Sequence, residues 1–176
     1  MMKKEILLTY MFSLLLIGCD HQEKSLPKTS TGKEQVAKRV NQELNEEEKE
    51  EAAQAVRSLM KSYNNAMDEL DAEKMISHFM NSPDFVYTRN GDRKEYKEFV
   101  EGCYGIPKAF EEIECKYDSI YVDVMANDVA IATVAFDETL TRVNKQKLDI
   151  EGTMSWVALK RNGKWLFIKG HSFREF

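Results

Sequence analysis

The sequence predicts an α+β domain in which three N-terminal helices pack on a strongly curved, mostly antiparallel sheet. Three observations carry this prediction. Apolar residues recur at helical spacing from Ala52 to Leu70. From Phe110 onward the chain alternates apolar with polar residues and is rich in β-branched and aromatic side chains, as strands are. The turn signals "AND", "VNKQ" and "RNG" then cut that half into four long segments.

Before the domain comes a targeting region. Met-Met-Lys-Lys-Glu is followed by thirteen uncharged residues, Ile6 to Gly18, the basic start and apolar run of a signal peptide. A helix of that length rises only about 20 Å, short of the roughly 30 Å hydrocarbon core. Cys19 follows "LLIG", which resembles the lipobox of bacterial lipoproteins. That resemblance implies removal of residues 1–18, a diacylglycerol on the Cys19 thiol, and a membrane partner reached only through this lipid, on the extracytoplasmic side of the cell envelope. Residues 19–44 are rich in Lys, Gln, Glu, Ser and Thr and read as a tether, with a reach of about 25–30 Å as a coil. The domain itself is expected over residues 45–176.

Its elements follow in order. Asn45 with Glu48 three positions on forms a capping-box signature, and Glu46 and Glu47 suit a helix N-terminus. Val56, Met60, Tyr63, Met67 and Leu70 give that helix one apolar face. Asp71 caps a second, short helix over "AEKMISHFM", which Pro83 stops. "DFVYT" reads as a strand and Asn90-Gly91 as a turn. "RKEYKEFVEGCYG" is a third helix, and the character changes after Pro107. Strands are expected at about 110–125, 128–142, 146–160 and 164–173.

Charge narrows the function. The full chain carries −5, and loss of residues 1–18 brings it near −6, which excludes a nucleic-acid partner that needs a basic surface. His21, His78 and His171 fall in tether, helix and strand without ligand spacing, so neither a metal nor a cofactor is expected. Cys103 and Cys115 allow either a disulfide or two buried thiols.

The order helix, helix, strand, helix, long strands, closing on "GKWLFIKGHSF", resembles the nuclear-transport-factor-2-like superfamily, including its SnoaL-like and steroid-isomerase branches. The resemblance implies a cone-shaped fold. In the isomerase branch a tyrosine on the first helix meets the substrate oxyanion, and an aspartate on the first strand moves the proton. Tyr63 stands eight residues before Asp71, as that tyrosine does; sixteen after Asp71, where the base belongs, stands Tyr87. A tyrosine of pKa near 10 is only about one-thousandth ionised at neutral pH, so that proton shuttle loses its base.

Strand register bears on the remaining candidates. If Asn162-Gly163 is a two-residue turn, Arg161 pairs with Lys164 and His171 falls opposite Met154. Trp156, Met154, Phe167, His171 and Phe173 then share one face, and Glu151 can pair with Arg174. A bulge would exchange these neighbours. Asp149 and Glu151 share a strand face, while His171 and Ser172 point opposite ways and form no nucleophile–base pair.

The favoured expectation is a lipid-anchored, non-catalytic domain that binds a small apolar or aromatic ligand or serves as an interaction module. Tyr63, Tyr87, Tyr104, Trp156 and His171 are its ligand-binding candidates, and Cys19 its lipidation site. The alternatives are an isomerase, cyclase or dehydratase using Tyr63 with His171 or Asp149, and a dimeric assembly module built on the outer sheet face.

Overall fold

The computed structural model describes residues 44–175; the signal segment, Cys19 and the tether up to residue 43 lie outside the described residues. Helix α1, Glu46–Asp68, starts from the expected capping box. The Asn45 side-chain oxygen accepts from the Glu48 amide at 2.9 Å, and the Asn45 amide donates back to the Glu48 carboxylate at 3.0 Å. Leu70 turns the chain in the left-handed region at φ 54°, and Asp71 caps α2, Ala72–Ser77.

Helix α2 ends earlier than "AEKMISHFM" implied, at Ser77 rather than near Pro83. The backbone beyond it is taken by the sheet. The Phe167 amide donates to the His78 carbonyl at 2.9 Å and the Met80 amide to the Phe167 carbonyl at 2.8 Å. Strands β1, Val86–Arg89, and β2, Asp92–Lys94, flank the turn at Asn90 and Gly91, whose φ values of 48° and 88° fit a two-residue hairpin. That hairpin claims Arg93 and Lys94, so helix α3 spans Tyr96–Ala109. It runs through Pro107 into a final short stretch, where a missing amide donor costs one helical bond.

Strands β3, Phe110–Ala126, β4, Val129–Arg142, β5, Lys147–Arg161, and β6, Lys164–Glu175, form the predicted meander. The sheet order is β2-β1-β6-β5-β4-β3, antiparallel except where β1 runs parallel to β6. This is a curled, six-stranded sheet carrying the helices on its inner face. β4 shows why: Ala130, Ala132, Val134, Phe136 and Leu140 are buried at every second position.

One register expectation is corrected. Arg161 does pair with Lys164, but Ala158 opposes Phe167 while Val157 opposes Lys169. Ile168 is therefore the extra residue of a β-bulge, and each later residue changes face. His171 lies opposite Ser155 rather than Met154, and turns outward and exposed together with Phe173. Gly170, Ser172 and Arg174 take the inner face instead, opposite Trp156, Met154 and Gly152.

Candidate functional site

The narrow part of the interior is aromatic and tightly filled. The Phe79 ring lies 4.5–6.0 Å from the rings of Tyr63, Phe85, Phe99, Trp156 and Phe167. Tyr87 stacks on Trp156 with centroids 5.1 Å apart and planes 10° from parallel. Rings at these separations add to the apolar burial that holds the core. The Tyr87 hydroxyl reaches past the rings and shares a 2.7 Å hydrogen bond with the buried Ser172 hydroxyl.

Beyond that hydroxyl the interior becomes polar. Arg174 Nη1 donates to Glu138 Oε2 at 2.7 Å, with the two side chains only 12% and 2% exposed. The guanidinium carbon lies 5.4 Å from the Phe136 ring centre, a cation–π contact. Glu138 reaches this place by the alternation of β4, and Arg174 by the bulge in β6.

The surroundings determine the charge states. Burial raises Glu138 above its ordinary value, with Arg174 and then Arg89 opposing the rise. Burial works against the charge of Arg174, yet Glu138 outweighs it and holds the guanidinium protonated. Burial pushes the Tyr63 and Tyr117 hydroxyls well up and the Cys115 thiol likewise. The Arg174 charge lowers each of the three, but by less than burial raises it. The inner patch therefore holds one compensated ion pair among neutral donors.

A groove of about 540 Å³ opens between α1 and the bulge where β3 shifts register between Tyr117 and Ile120. Arg57, Lys61, Asn64, Asn65 and the segment Tyr117–Ile120 line it. Asn64 Nδ2 donates to the Cys115 carbonyl at 3.0 Å, and the Cys115 amide donates to Asp68 at 3.2 Å, so α1 is pinned to β3 at the inner wall. Tyr117 lines the groove and pairs across the sheet with Phe136. Three buried atoms lack a protein partner among the described residues: Asn64 Oδ1, Trp156 Nε1 and Arg174 Nε.

Of the sequence candidates, Tyr63, Tyr87 and Trp156 share the interior. Tyr104 does not join them: it is 41% exposed, its hydroxyl on Glu73. His171 is on the outer face. Asp149 is exposed and accepts from the Thr139 hydroxyl at 2.9 Å. Glu151 stands opposite Glu175, and the arginine expected beside it goes to Glu138. The sequence alone singles out none of Glu138, Tyr117 and Asn64, and it gives Arg174 to Glu151. For Glu138 a signal existed, a carboxylate breaking an otherwise apolar alternation from Ala130 to Leu140. Cys103 and Cys115 are both unpaired thiols. No three His, Cys, Asp or Glu side chains among the described residues gather closely enough to hold a metal ion.

Several solved structures share this architecture. A nuclear transport factor 2-like superfamily protein from Salmonella enterica is 21% identical, covering 68% of this chain and 88% of its own, with a TM-score of 0.62. A candidate dehydratase of the NTF2-like family from Streptomyces avermitilis is 14% identical over 72% of this chain and 98% of its own, TM-score 0.64. A hexachlorocyclohexane dehydrochlorinase, LinA type 2, is 12% identical over 75% and 90%, TM-score 0.63. At these identities the likeness is one of fold. No curated protein matches the sequence. The model of the SnoaL-like domain matches residues 56–172, which run from the buried face of α1 to the inner face of β6, and the chain belongs to that family, with an NTF2-like fold.

Proposed function

We propose that this protein is a lipid-anchored, extracytoplasmic binding domain for a small molecule, which enters the groove between α1 and β3. The single observation that carries the reading is the groove of about 540 Å³ itself, walled by polar side chains of α1 and by Tyr117–Ile120 of β3, which has the size and mixed lining of a small-molecule site. Binding is favoured over turnover because the buried carboxylate is already committed to Arg174, and the buried tyrosines are held protonated. A proton-moving enzyme needs a free base. His171 and Asp149, whose chemistry suits that role, face solvent.

A thermal-shift survey against envelope lipids, sterols and aromatic metabolites tests the reading. At least one class is expected to stabilise the wild-type protein and to lose that effect in Asn65→Trp, which fills the groove from an exposed position on α1. Silence of every class refutes it. For the anchor, labelled palmitate is expected in the wild-type chain and absent after Cys19→Ser; a wild-type protein exported without lipid refutes that part. The dimeric alternative rests on the outer face, where Tyr121, Met125 and Phe173 remain 68%, 65% and 48% exposed. Sedimentation at micromolar concentration separates it from a monomer.

A further inference from the structure

On β6, His171 is exposed and Ser172 buried, but a serine and a histidine do meet elsewhere in the fold. Ser62 on α1 and His78, the residue after α2, stand 2.8 Å apart from Oγ to Nε2. The other ring nitrogen faces carbonyl oxygens: Nδ1 is 2.6 Å from that of Lys74 and 3.3 Å from that of Met75. A carbonyl only accepts, so the proton of the neutral ring sits on Nδ1 and Nε2 carries a lone pair. The Ser62 hydroxyl therefore donates to Nε2. A hydroxyl donating to a base, with the base oriented by a third group, is the signature of an activated nucleophile.

The surroundings hold this arrangement in place and leave it open on one side. The imidazole is buried, with the Tyr63 ring edge-on at 6.0 Å. The His78 backbone carbonyl accepts from the Phe167 amide at 2.9 Å, which ties it to β6. Ser62 by contrast is exposed, and with His78 it lines a second groove of about 700 Å³ between α1 and the start of β6. Leu59 and Trp165 give this groove apolar surface. Asn65 lies on the ridge between the two grooves, three residues after Ser62 and so beside it on the helix. Its side-chain amide is a donor for the charge that develops on an attacked carbonyl oxygen. Glu69 and Lys74 are committed to each other at 2.5 Å, and Lys164 is exposed where water screens it. The groove suits an uncharged substrate.

We propose that Ser62 and His78 form a serine–histidine dyad that hydrolyses small uncharged carboxylic esters. Ser62 Oγ bonds to the ester carbonyl carbon as its proton passes to His78 Nε2. The bond to the alcohol oxygen then breaks, and the alcohol leaves with that proton. Water attacks the acyl-serine, His78 takes a proton from it and returns the proton to Ser62 Oγ, and the carboxylic acid departs. The third group is a neutral carbonyl rather than a carboxylate, so it stabilises the imidazolium less, which suits esters of good leaving alcohols and not amides. The dyad flanks α1 on the other side from the binding groove and is independent of the small-ligand reading.

The test uses the full chain in detergent, with p-nitrophenyl butyrate as substrate and a fluorophosphonate as trap. Release of p-nitrophenolate by the wild-type protein is expected to fall about a hundredfold or more in Ser62→Ala. Peptide mass spectrometry of the trapped wild-type protein is expected to find the phosphonyl group on Ser62, and His78→Gln is expected to lose both labelling and hydrolysis. If His78→Gln fails to fold, Ser62→Ala and the labelled position decide alone. Hydrolysis unchanged in Ser62→Ala, a phosphonyl group that misses Ser62, or a wild-type rate no higher than that of buffer each overturns the proposal. None of these outcomes alters the thermal-shift survey, so the binding reading stands or falls by its own test.

Discussion

Arg174 and Glu138 are each almost sealed from water, so neither is stable there without the other. Removing one partner of a buried pair is far more damaging than replacing both, because the survivor is left uncompensated. Arg174→Met alone is therefore expected to cost about 3–5 kcal/mol in urea unfolding. The Glu138→Leu/Arg174→Met double variant should recover most of that loss, and a double variant as unstable as the single would show that the pair matters through shape rather than charge. Gly170 acts by absence. A Cβ there would lie 2.2 Å from Trp156 Cε3 and displace the ring that Tyr87 stacks upon. Gly170→Ala is expected to destabilise by about 1–3 kcal/mol, as overpacked cores do, with a changed near-UV signal from Trp156.

Among the elements, the junction of α1 and α2 shows how one side chain fixes a boundary. The Lys74 backbone amide donates to the Asp71 carboxylate at 3.0 Å, and the Lys74 ammonium stands 3.6 Å away. The backbone bond first, and the nearby ammonium after it, hold the Asp71 carboxyl below its ordinary 3.8. A folded-state value below the unfolded one gives stability that is full above about pH 4 and is lost as pH falls through the lowered value. Carboxyl NMR titration is expected to place Asp71 below 3.8, and Asp71→Asn to remove that part of the acid dependence while keeping a capping oxygen. The bulge at Ile168 is the other decisive local event. It keeps Phe167 in the core and still brings Ser172 and Arg174 inward, which strict alternation from the Asn162-Gly163 turn does not allow.

At the scale of the whole molecule, the sheet and helices close over both cysteines without joining them. Burial pushes the Cys103 thiol up to about 12 and raises that of Cys115 as well, leaving almost no thiolate at neutral pH. In the absence of reductant both are expected to stay unreactive towards a thiol reagent in the native protein and to titrate as two free thiols on unfolding; finding neither would mean that they pair. The order of the helices and long strands, the caps at Asn45 and Asp71 and the two Asn-Gly turns were legible because each depends on neighbours within a few residues. Tyr63 was legible too, as a tyrosine on the apolar stripe of a long helix. Where α2 stops was not, since the Phe167 backbone, far along the chain, takes over after Ser77. The polar patch escaped for the same reason: Glu138 finds Arg174 across the curled sheet only after a bulge has reversed the face of β6. The sequence by itself determined the elements, their order and the apolar faces that bury them, because propensity, period and capping are local. Only the tertiary structure decided which polar groups meet inside, because a one-residue slip exchanges every inward side chain on a strand while leaving the strand itself unchanged.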